Sequence, residues 1–401
     1  MPAPTHDPPT AESVPLKQRL LEVALLFLKL GATGFGGPAV TIAMMEDEAV
    51  TRRKWLTREY FLDLIGTTNL VPGPNATEIA IHVGWLRAGW LGLVLAGASF
   101  IIPAAAITGL FAYAYVRYGA LPAVAPFLQG IKPAVLAVIV VALGRLGRAA
   151  LKGWKLGLIG LAVVAASLLG ANEILALFAG GILGMLWLQG DRVKRLLKPG
   201  AAAGLLPALG AALSAPGAAA SAAPTVWSLG LFFLKVGAVM YGSGYVLVAF
   251  LQGGLVHDLG WLTQQQLLDA IAAGQFTPGP LLSTATFIGY LLLGVPGAIV
   301  ATVGVFLPSF LFVVALGRFL PRLRRSPWAG SFLDAINICS LGLMAAVSLK
   351  LGAATLRSWP AVAIALAAVA VGLRWKVNST WIVLGGALAG WGFSLLGAAA
   401  L

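Results

Sequence analysis

The chain contains one long motif twice, with a constant separation of 206 residues between the copies. The first copy begins with FLKLGATGFGGP at Phe27 and the second with FLKVGAVMYGSG at Phe233. A WLT triplet and then a Pro-Gly-Pro triplet follow in each copy, and the latter starts at Pro72 and at Pro278. One residue is lost after that triplet, so later matches fall at 205. The chain is therefore a tandem duplication, and each copy must fold in a similar way.

Composition places both copies in a membrane. Of the 401 residues, 59% are hydrophobic and 10% are charged, whereas about 25% charged residues is usual for soluble domains. The apolar runs are continuous, which predicts helices, because membrane β-strands show short alternating segments. The net charge of +13 lies mostly in short loops, where it sets membrane orientation and does not indicate nucleic-acid binding. We predict an all-α polytopic membrane protein.

Both copies interrupt their apolar sequence at the same two places. The first break is Gly-rich, at 31–38 in the first copy, and the second is Pro-Gly-Pro. The apolar segments beside the breaks are shorter than the roughly 20 residues that a membrane span needs. Non-helical backbone survives at membrane depth only where it is buried in protein or lines a cavity. Two breaks per copy therefore predict broken or re-entrant helices around a site.

The charges of matched loops predict that the two copies are inverted in the membrane. Arg52, Arg53 and Lys54 precede the first WLT, whereas the matching loop 256–260 has no Lys or Arg. The loop near Arg117 has one basic residue, and its counterpart has four. Because basic loops remain in the cytoplasm, matched loops are expected on opposite faces. Two inverted-topology repeats are typical of secondary transporters.

The segments follow from the duplication. We predict a disordered cytoplasmic tail at 1–15, the first repeat at 16–199 and the second repeat at 225–401. Residues 200–224 are rich in Ala, Gly and Pro and carry no charge; they form either a linker or a span that inverts the second repeat. The basic residues Arg145, Arg148, Lys152 and Lys155 are assigned to one cytoplasmic loop.

The breaks predict a site for an anion. Interrupted helices expose N-termini, whose N–H groups and dipole attract negative charge. The matched Lys29 and Lys235 lie deep in apolar sequence, where a charge indicates function, although a lysine can also extend to the membrane surface. This chemistry suits a tetrahedral oxyanion better than a metal ion. The predicted substrate-binding residues are Lys29, Gly34, Gly36, Gly37, Pro72, Gly73, Pro74, Asn75, Thr77, Lys235, Gly242, Gly244, Pro278, Gly279, Pro280 and Ser283.

Four ionisable side chains near the breaks are candidates for proton coupling: Glu78, His82, Asp63 and Asp269. Glu78 and His82 are four residues apart and share a helix face, but the second repeat has no matching pair. Asp63 and Asp269 match each other; the alternative is that they cap helices or pair with basic loops near the surface. No HExxH, GxSxG, P-loop or metal-ligand spacing occurs, so we predict no enzyme, cofactor, metal site or ATP drive.

These motifs resemble the chromate ion transporter family. FLKLGATGFGGPA and WLTREYFLDLIGTTNLVPGPNAT look like the signature region of that family, and FLKVGAVMYGSGYVL with FTPGPLLSTATFIGY looks like its second-half counterpart. Both halves match, so the resemblance is to the long, two-domain members. One departure is Thr41, where many members place a His shortly after GGP.

The resemblance implies a multi-pass inner-membrane transporter that exports chromate from the cytoplasm and confers chromate resistance. Chromate and sulfate are tetrahedral dianions of similar size, so a transporter or exchanger of sulfate or another oxyanion is the alternative. A passive channel, a non-transporting scaffold and a membrane-embedded enzyme are the remaining rivals. The expected partners are the oxyanion and membrane lipid but no nucleic acid, and a homodimer is left open.

Overall fold

The computed structural model describes residues 14–68, 71–119, 121–190, 223–242, 244–324, 326–375 and 377–396, and for 316–324 the backbone alone. The predicted tail at 1–15 and the predicted linker at 200–224 fall almost wholly outside the described residues. Helices account for the regular structure of the described ranges, and they follow the same order in both repeats. The first repeat contains α1 (Leu16–Thr33), α2 (Pro38–Glu46), a π-helical turn (Asp47–Arg52), α3 (Arg58–Thr68), α4 (Asn75–Tyr118), α5 (Ala125–Ala150), α6 (Trp154–Leu168) and α7 (Glu173–Leu188).

The second repeat follows the same plan, with small differences next to its breaks. Short 3₁₀ turns replace part of the regular helix after each break. Its elements are α8 (Val226–Val239), a 3₁₀ turn (Gly244–Val246), α9 (Leu247–Leu251), a π-helical turn (Gln252–Asp258), α10 (Gln264–Phe276), a 3₁₀ turn (Leu281–Ser283), α11 (Thr284–Arg324), α12 (Pro327–Thr355), α13 (Trp359–Arg374) and α14 (Ser379–Leu395).

The helix breaks lie where the glycines and prolines predict them. The Gly-rich breaks separate α1 from α2 and α8 from α9, and the Pro-Gly-Pro breaks separate α3 from α4 and α10 from α11. Matched glycines adopt positive φ: Gly36 and Gly242 have φ of 115° and 95°, and Gly73 and Gly279 have φ of 145° and 87°. A residue with a Cβ is strained in this region. The broken helices expected from the sequence are therefore confirmed.

The long helices α4 and α11 are each bent once more, at matched places. The bends lie at Ala88–Gly89 and at Leu293–Gly294, where the two glycines have φ of 63° and 64°. Each bend divides its helix into a short arm next to the Pro-Gly-Pro break and a long arm that crosses the molecule. The four helices that are long and apolar enough to span a membrane, by length and composition among the described residues, are α4, α5, α11 with its preceding turn, and α12.

Contacts between helix ends show that the two repeats are inverted. Arg19 in α1 donates to the carbonyl of Arg87 at 3.3 Å, so the start of α1 lies beside the bend of α4. From that face α4 crosses the molecule and α5 returns, which brings Lys152 back to the same face. There Lys152 pairs with Asp334 of α12 at 2.6 Å. Thus α12 starts on the face where its counterpart α5 ends.

We call the face that holds Arg19, Arg87 and Lys152 the inner face, and the opposite face the outer face. The basic loop after α2 also lies on the inner face, because the Arg87 guanidinium lies 5.2 Å from the ring centre of Trp55. Basic residues concentrate in cytoplasmic loops of membrane proteins. On this rule we assign the inner face to the cytoplasmic side.

The first helix of each repeat packs closely on the long helix of the same repeat. A Cβ on Gly31 of α1 would lie 2.5 Å from the carbonyl oxygen of Phe100 in α4. The matched Gly237 of α8 has the same relation to the carbonyl oxygen of Val305 in α11. Such close approach needs glycine, because any Cβ would overlap the facing backbone. The long helices α4 and α11 also pack against each other, which brings the four breaks to the centre of the molecule.

Candidate functional site

The four helix breaks meet through a pair of matched hydrogen bonds. The Gly73 N–H donates to the Met240 carbonyl at 2.7 Å, and the Gly279 N–H donates to the Gly34 carbonyl at 3.0 Å. Donors and acceptors are related by the same separation of 206 residues. Each Pro-Gly-Pro break is thus bonded to the Gly-rich break of the other repeat. We call this region the crossing.

A cavity of about 470 Å³ lies beside the crossing. Its volume falls in the range of small-ligand pockets and greatly exceeds what one tetrahedral oxyanion needs. Both repeats contribute break residues to its wall, and α5 and the start of α14 complete it. The break residues in the wall are Gly36, Pro38, Pro74, Asn75, Gly242, Gly244, Gly279 and Pro280.

Two helix N-termini of the first repeat lie at the wall of this cavity. Helix α2 begins at Pro38 and α4 begins at Asn75, and neither has a side-chain hydrogen bond at its N-cap. Residues of both first turns lie in the cavity wall, up to Ile42 and Ala76. The first N–H groups of a helix have no acceptor within the helix, and the helix dipole adds positive potential there. Two uncapped N-termini at one cavity favour an anion.

Arg145 is the one charged side chain among the described residues of the cavity wall. It belongs to α5, which continues as helix to Ala150, so assigning it to a loop was wrong. The basic residue in the last turn of α5 is Arg148, which is favourable next to the free carbonyl groups there; Arg145 lies about one turn before it. Its Nη2 donates to the Gly372 carbonyl of α13 at 2.5 Å. The cavity wall thus contains a basic side chain that neither of the repeated motifs includes.

The cavity wall also contains polar side chains of the second repeat. Tyr245, Asn378 and Ser379 lie in the wall, and Tyr245 forms side-chain hydrogen bonds with Ser379 and with Gln275. Hydroxyl and amide groups of this kind can replace part of the hydration shell of an anion. Among the described residues the wall holds no carboxylate.

The two predicted lysines lie outside the cavity in this conformation. Lys29 and Lys235 are both exposed. The Lys29 ammonium lies 2.7 Å from Oε1 of Glu48, whose other oxygen is 3.2 Å from Nε of Arg53. The Lys29 ammonium, with Arg53, holds the pKa of Glu48 below its usual range. Lys29 therefore follows the alternative of a lysine that extends toward the inner face, and its contact with substrate stays a prediction.

The remaining predicted break residues surround the crossing without lining the cavity. Thr77 and Ser283 are buried, and their hydroxyls have no hydrogen-bond partner among the described residues. Gly37 is the residue before α2, and Cβ built on it would lie 3.6 Å from the Tyr245 hydroxyl. The others that do not line the cavity are Gly34, Pro72, Gly73 and Pro278.

Glu78 is buried at the crossing. Its side chain is fully shielded, and both carboxyl oxygens are without a partner among the described residues. It lies against Gly73 and near the hydroxyl of Ser309 in α11, which also has no partner there. His82, one turn further along α4, packs its ring 5.7 Å from that of Trp85. An unpaired buried carboxylate is costly, so this geometry favours a neutral carboxylic acid.

The matched aspartates occupy unlike environments. Asp269 of α10 is 3% exposed, accepts a hydrogen bond from the Tyr115 hydroxyl at 2.9 Å and lies 4.0 Å from the Lys132 ammonium. It therefore does not pair with a basic loop at the surface. Asp63 of α3 is exposed. The two partners of Asp269 belong to the first repeat, so the cluster of Asp269, Tyr115 and Lys132 joins the repeats on the outer side. We call it the outer clasp.

Inverted repeats, crossed helix breaks and a cavity beside the crossing are features typical of membrane transporters. The chain belongs to the chromate transporter family, whose model matches residues 21–185 and again residues 227–391. It is 32% identical to the chromate transport protein of Cupriavidus metallidurans over 92% of each chain. It is also 32% identical to the chromate transport protein of Pseudomonas aeruginosa, over 95% of this chain and 94% of that one.

A probable chromate transport protein of Synechococcus elongatus is 31% identical over 90% of this chain and 91% of its own. No solved structure matches the chain. The family model matches each half of this chain separately, in agreement with the duplication. The protein is accordingly a multi-pass protein of the inner membrane.

Proposed function

We propose that this protein exports chromate from the cytoplasm and that the anion binds in the central cavity. The observation that carries the proposal is the cavity wall, which combines helix N-termini from the breaks with the Arg145 guanidinium. N–H groups and a guanidinium are the donors that tetrahedral oxyanions prefer. The named relatives, which are chromate transport proteins, support chromate as the substrate.

The cavity faces the cytoplasm in this conformation. Its wall follows α5 from Val138 to Leu146, toward the end of the helix at the inner face. Arg145 is exposed at that end. On the outer side, α10 packs against α4, α5 and α14, whereas its counterpart α3 packs chiefly against α4. The outer side is thus closed by α10, whereas α3 leaves the inner side open. We interpret the structure as an inward-open state.

Alternating access follows if the two repeats exchange conformations. In the exchanged state α3 would close the inner side, and α10 would swing away with Asp269. The outer clasp would then break, because Asp269 would take the exposed position that Asp63 now holds. The clasp is therefore the polar element that holds the outer side closed while the anion enters from the cytoplasm.

The membrane potential favours export of a dianion. Moving one charge across the membrane changes its free energy by about 2.3 kcal/mol per 100 mV. A dianion that moves outward under an inside-negative potential of about 100 mV is therefore stabilised by roughly 4.6 kcal/mol. Glu78 adds a coupling site: it is buried beside Pro74 and Asn75 of the cavity wall. An ionised carboxylate there would repel the dianion, so we propose that Glu78 is protonated when the anion is bound.

Arg145→Gln tests the site. Losing a charged hydrogen bond costs about 1.5–3 kcal/mol, so the half-saturation concentration for labelled chromate in inverted vesicles should rise about 10- to 150-fold. Arg145→Lys keeps the charge and should lose less. Arg148→Gln is the matched control, because Arg148 is exposed on the same helix outside the cavity wall.

Two results would overturn the proposal. The first is a folded Arg145→Gln protein with the chromate kinetics of the unmodified chain. The second is a folded unmodified chain that takes up no chromate under any gradient. Sulfate as a competitor separates the alternative, because a sulfate transporter should bind sulfate more tightly than chromate.

A further inference from the structure

The match between the repeats continues past the breaks, at a separation of 205 residues. Arg145 in GRLG of α5 corresponds to Lys350 in LKLG of α12. Further on, Trp154 corresponds to Trp359 at the same separation, so the register holds across the position. Each repeat therefore carries one basic residue at the same place on the helix that, in the first repeat, forms the cavity wall.

Lys350 lies at the outer face. Its ammonium donates to the Ser167 carbonyl at 2.8 Å, at the end of α6 that is remote from the inner face. Its own carbonyl accepts a hydrogen bond from the Gln264 side chain at the start of α10. Arg145 and Lys350 thus lie toward the inner and the outer face, at positions that the pseudo-symmetry of the repeats relates.

The charges around these two residues differ. The wall beside Arg145 contains Ser379 of α14 and, among the described residues, no carboxylate. The residue that matches Ser379, at a separation of 206, is Glu173 at the start of α7. Glu173 begins α7 six residues after Ser167, whose carbonyl accepts the hydrogen bond from Lys350, so this acid and the ammonium belong to the same end of the molecule. The Glu173 carboxylate lies against Gly253 of the second repeat. The cavity wall at the inner end therefore carries a cation without a carboxylate, whereas the outer end has an acid in the neighbourhood of its cation.

We propose that Lys350 is the outer counterpart of Arg145, and that Glu173 weakens its hold so that the oxyanion is released outside. When the repeats exchange conformations, α12 takes the place relative to the cavity that α5 holds now. Lys350 then lines the cavity together with Leu343, Ala346 and Val347, which match Val138, Val141 and Ala142 of the present wall.

The electrostatics give this device a direction. From the cytoplasm the dianion meets a guanidinium, which binds an oxyanion through two parallel N–H groups. From outside it meets an ammonium whose charge a neighbouring carboxylate offsets. Affinity is therefore higher inside than outside, as a release site requires. This inference rests on the proposed function, because it assigns the second side of the same anion site.

Half-saturation measured separately from each face tests the inference. Labelled chromate is offered to inverted vesicles, which expose the inner face, and to right-side-out vesicles, which expose the outer face. Glu173→Gln should lower the outer half-saturation concentration about tenfold or more and leave the inner one within twofold. Lys350→Gln should raise the outer value about tenfold and leave the inner one unchanged. Arg357→Gln is the control, since it removes an exposed basic residue just after α12.

The outcomes separate this inference from the proposed function. If Glu173→Gln leaves the outer value unchanged, or shifts both faces alike, the inference is wrong although chromate is still transported. If the unmodified protein transports no chromate, the proposed function itself is wrong. Lys350→Arg serves if Lys350→Gln does not fold: it should tighten outer binding, and an unchanged outer value would also refute the assignment.

Discussion

Replacing Asp269 by Asn should shift this protein away from the inward-open conformation. The outer clasp exists only while the outer side is closed, because Asp269 comes from one repeat and Tyr115 and Lys132 come from the other. The substitution keeps the size of the side chain and removes its charge. It therefore removes a contact that one conformation has and the exchanged conformation lacks.

The magnitude follows from the geometry. Two charges 4.0 Å apart attract by about 4 kcal/mol at an effective dielectric constant of 20. The hydrogen bond from Tyr115 to a charged acceptor adds about 1.5–3 kcal/mol. Desolvation offsets part of this, and removing one member of a buried pair costs about 3–5 kcal/mol in practice. A shift of about 3 kcal/mol changes the conformational equilibrium roughly 100-fold, so a state populated at about 99% falls to about half.

Labelling of a cavity cysteine measures this shift. Cys339 is the one cysteine of the chain and is buried, so Cys339→Ser gives a clean background. Ala142→Cys places a reporter in the wall on the inner side. A membrane-impermeant maleimide applied to inverted vesicles should label it about half as fast in the Asp269→Asn protein.

The matched aspartate supplies the control. Asp63→Asn makes the same change in the other repeat, on the exposed face of α3, and should leave the labelling rate unchanged. Exchanging the charges, with Asp269→Lys and Lys132→Asp together, should restore part of the rate. Equal rates in the Asp269→Asn and unmodified proteins, or equal losses from both aspartate substitutions, would refute the role of the clasp.

Three further outcomes are expected. Lys29→Ala should reduce the yield of monodisperse protein in size-exclusion chromatography, because the buried Glu48 carboxylate loses its closest cation and keeps only arginine partners. Adding Glu48→Gln should restore the yield, since the amide is neutral; a restored double variant that does not transport would instead place Lys29 in substrate binding. Gly279→Ala should lower Tm by about 1–2 °C, since a Cβ at φ 87° costs about 1–2 kcal/mol and the shift per kcal/mol falls with chain length, whereas Gly330→Ala, in open space, should not. Glu78→Gln should keep chromate binding and make it less dependent on pH, because the amide stays neutral whereas a carboxylic acid can ionise; a pH profile like that of the unmodified chain would argue against coupling at Glu78.

Local chemistry made much of the fold predictable. Glycines and prolines interrupt helices whatever surrounds them, so the four breaks could be located from the residue types alone. The loop charges predicted the inversion, because basic loops remain in the cytoplasm and Arg52, Arg53 and Lys54 have no basic counterpart in the second copy. The end of α5 was harder, since a run of basic residues looks alike in a loop and in the last turns of a helix.

The sequence by itself determined the duplication, the breaks, the inversion and the family, because each depends on residue type and spacing along the chain. Only the tertiary structure decided which matched residues do different work. Asp63 and Asp269 are equivalent in sequence, yet one is exposed and the other is buried in the outer clasp. The two repeats share one fold but pack differently, so matched residues such as these aspartates have different neighbours. The position of Lys29 along its helix likewise did not predict its ion pair with Glu48. The place of Arg145 in the cavity wall depends on how α5 packs against both repeats.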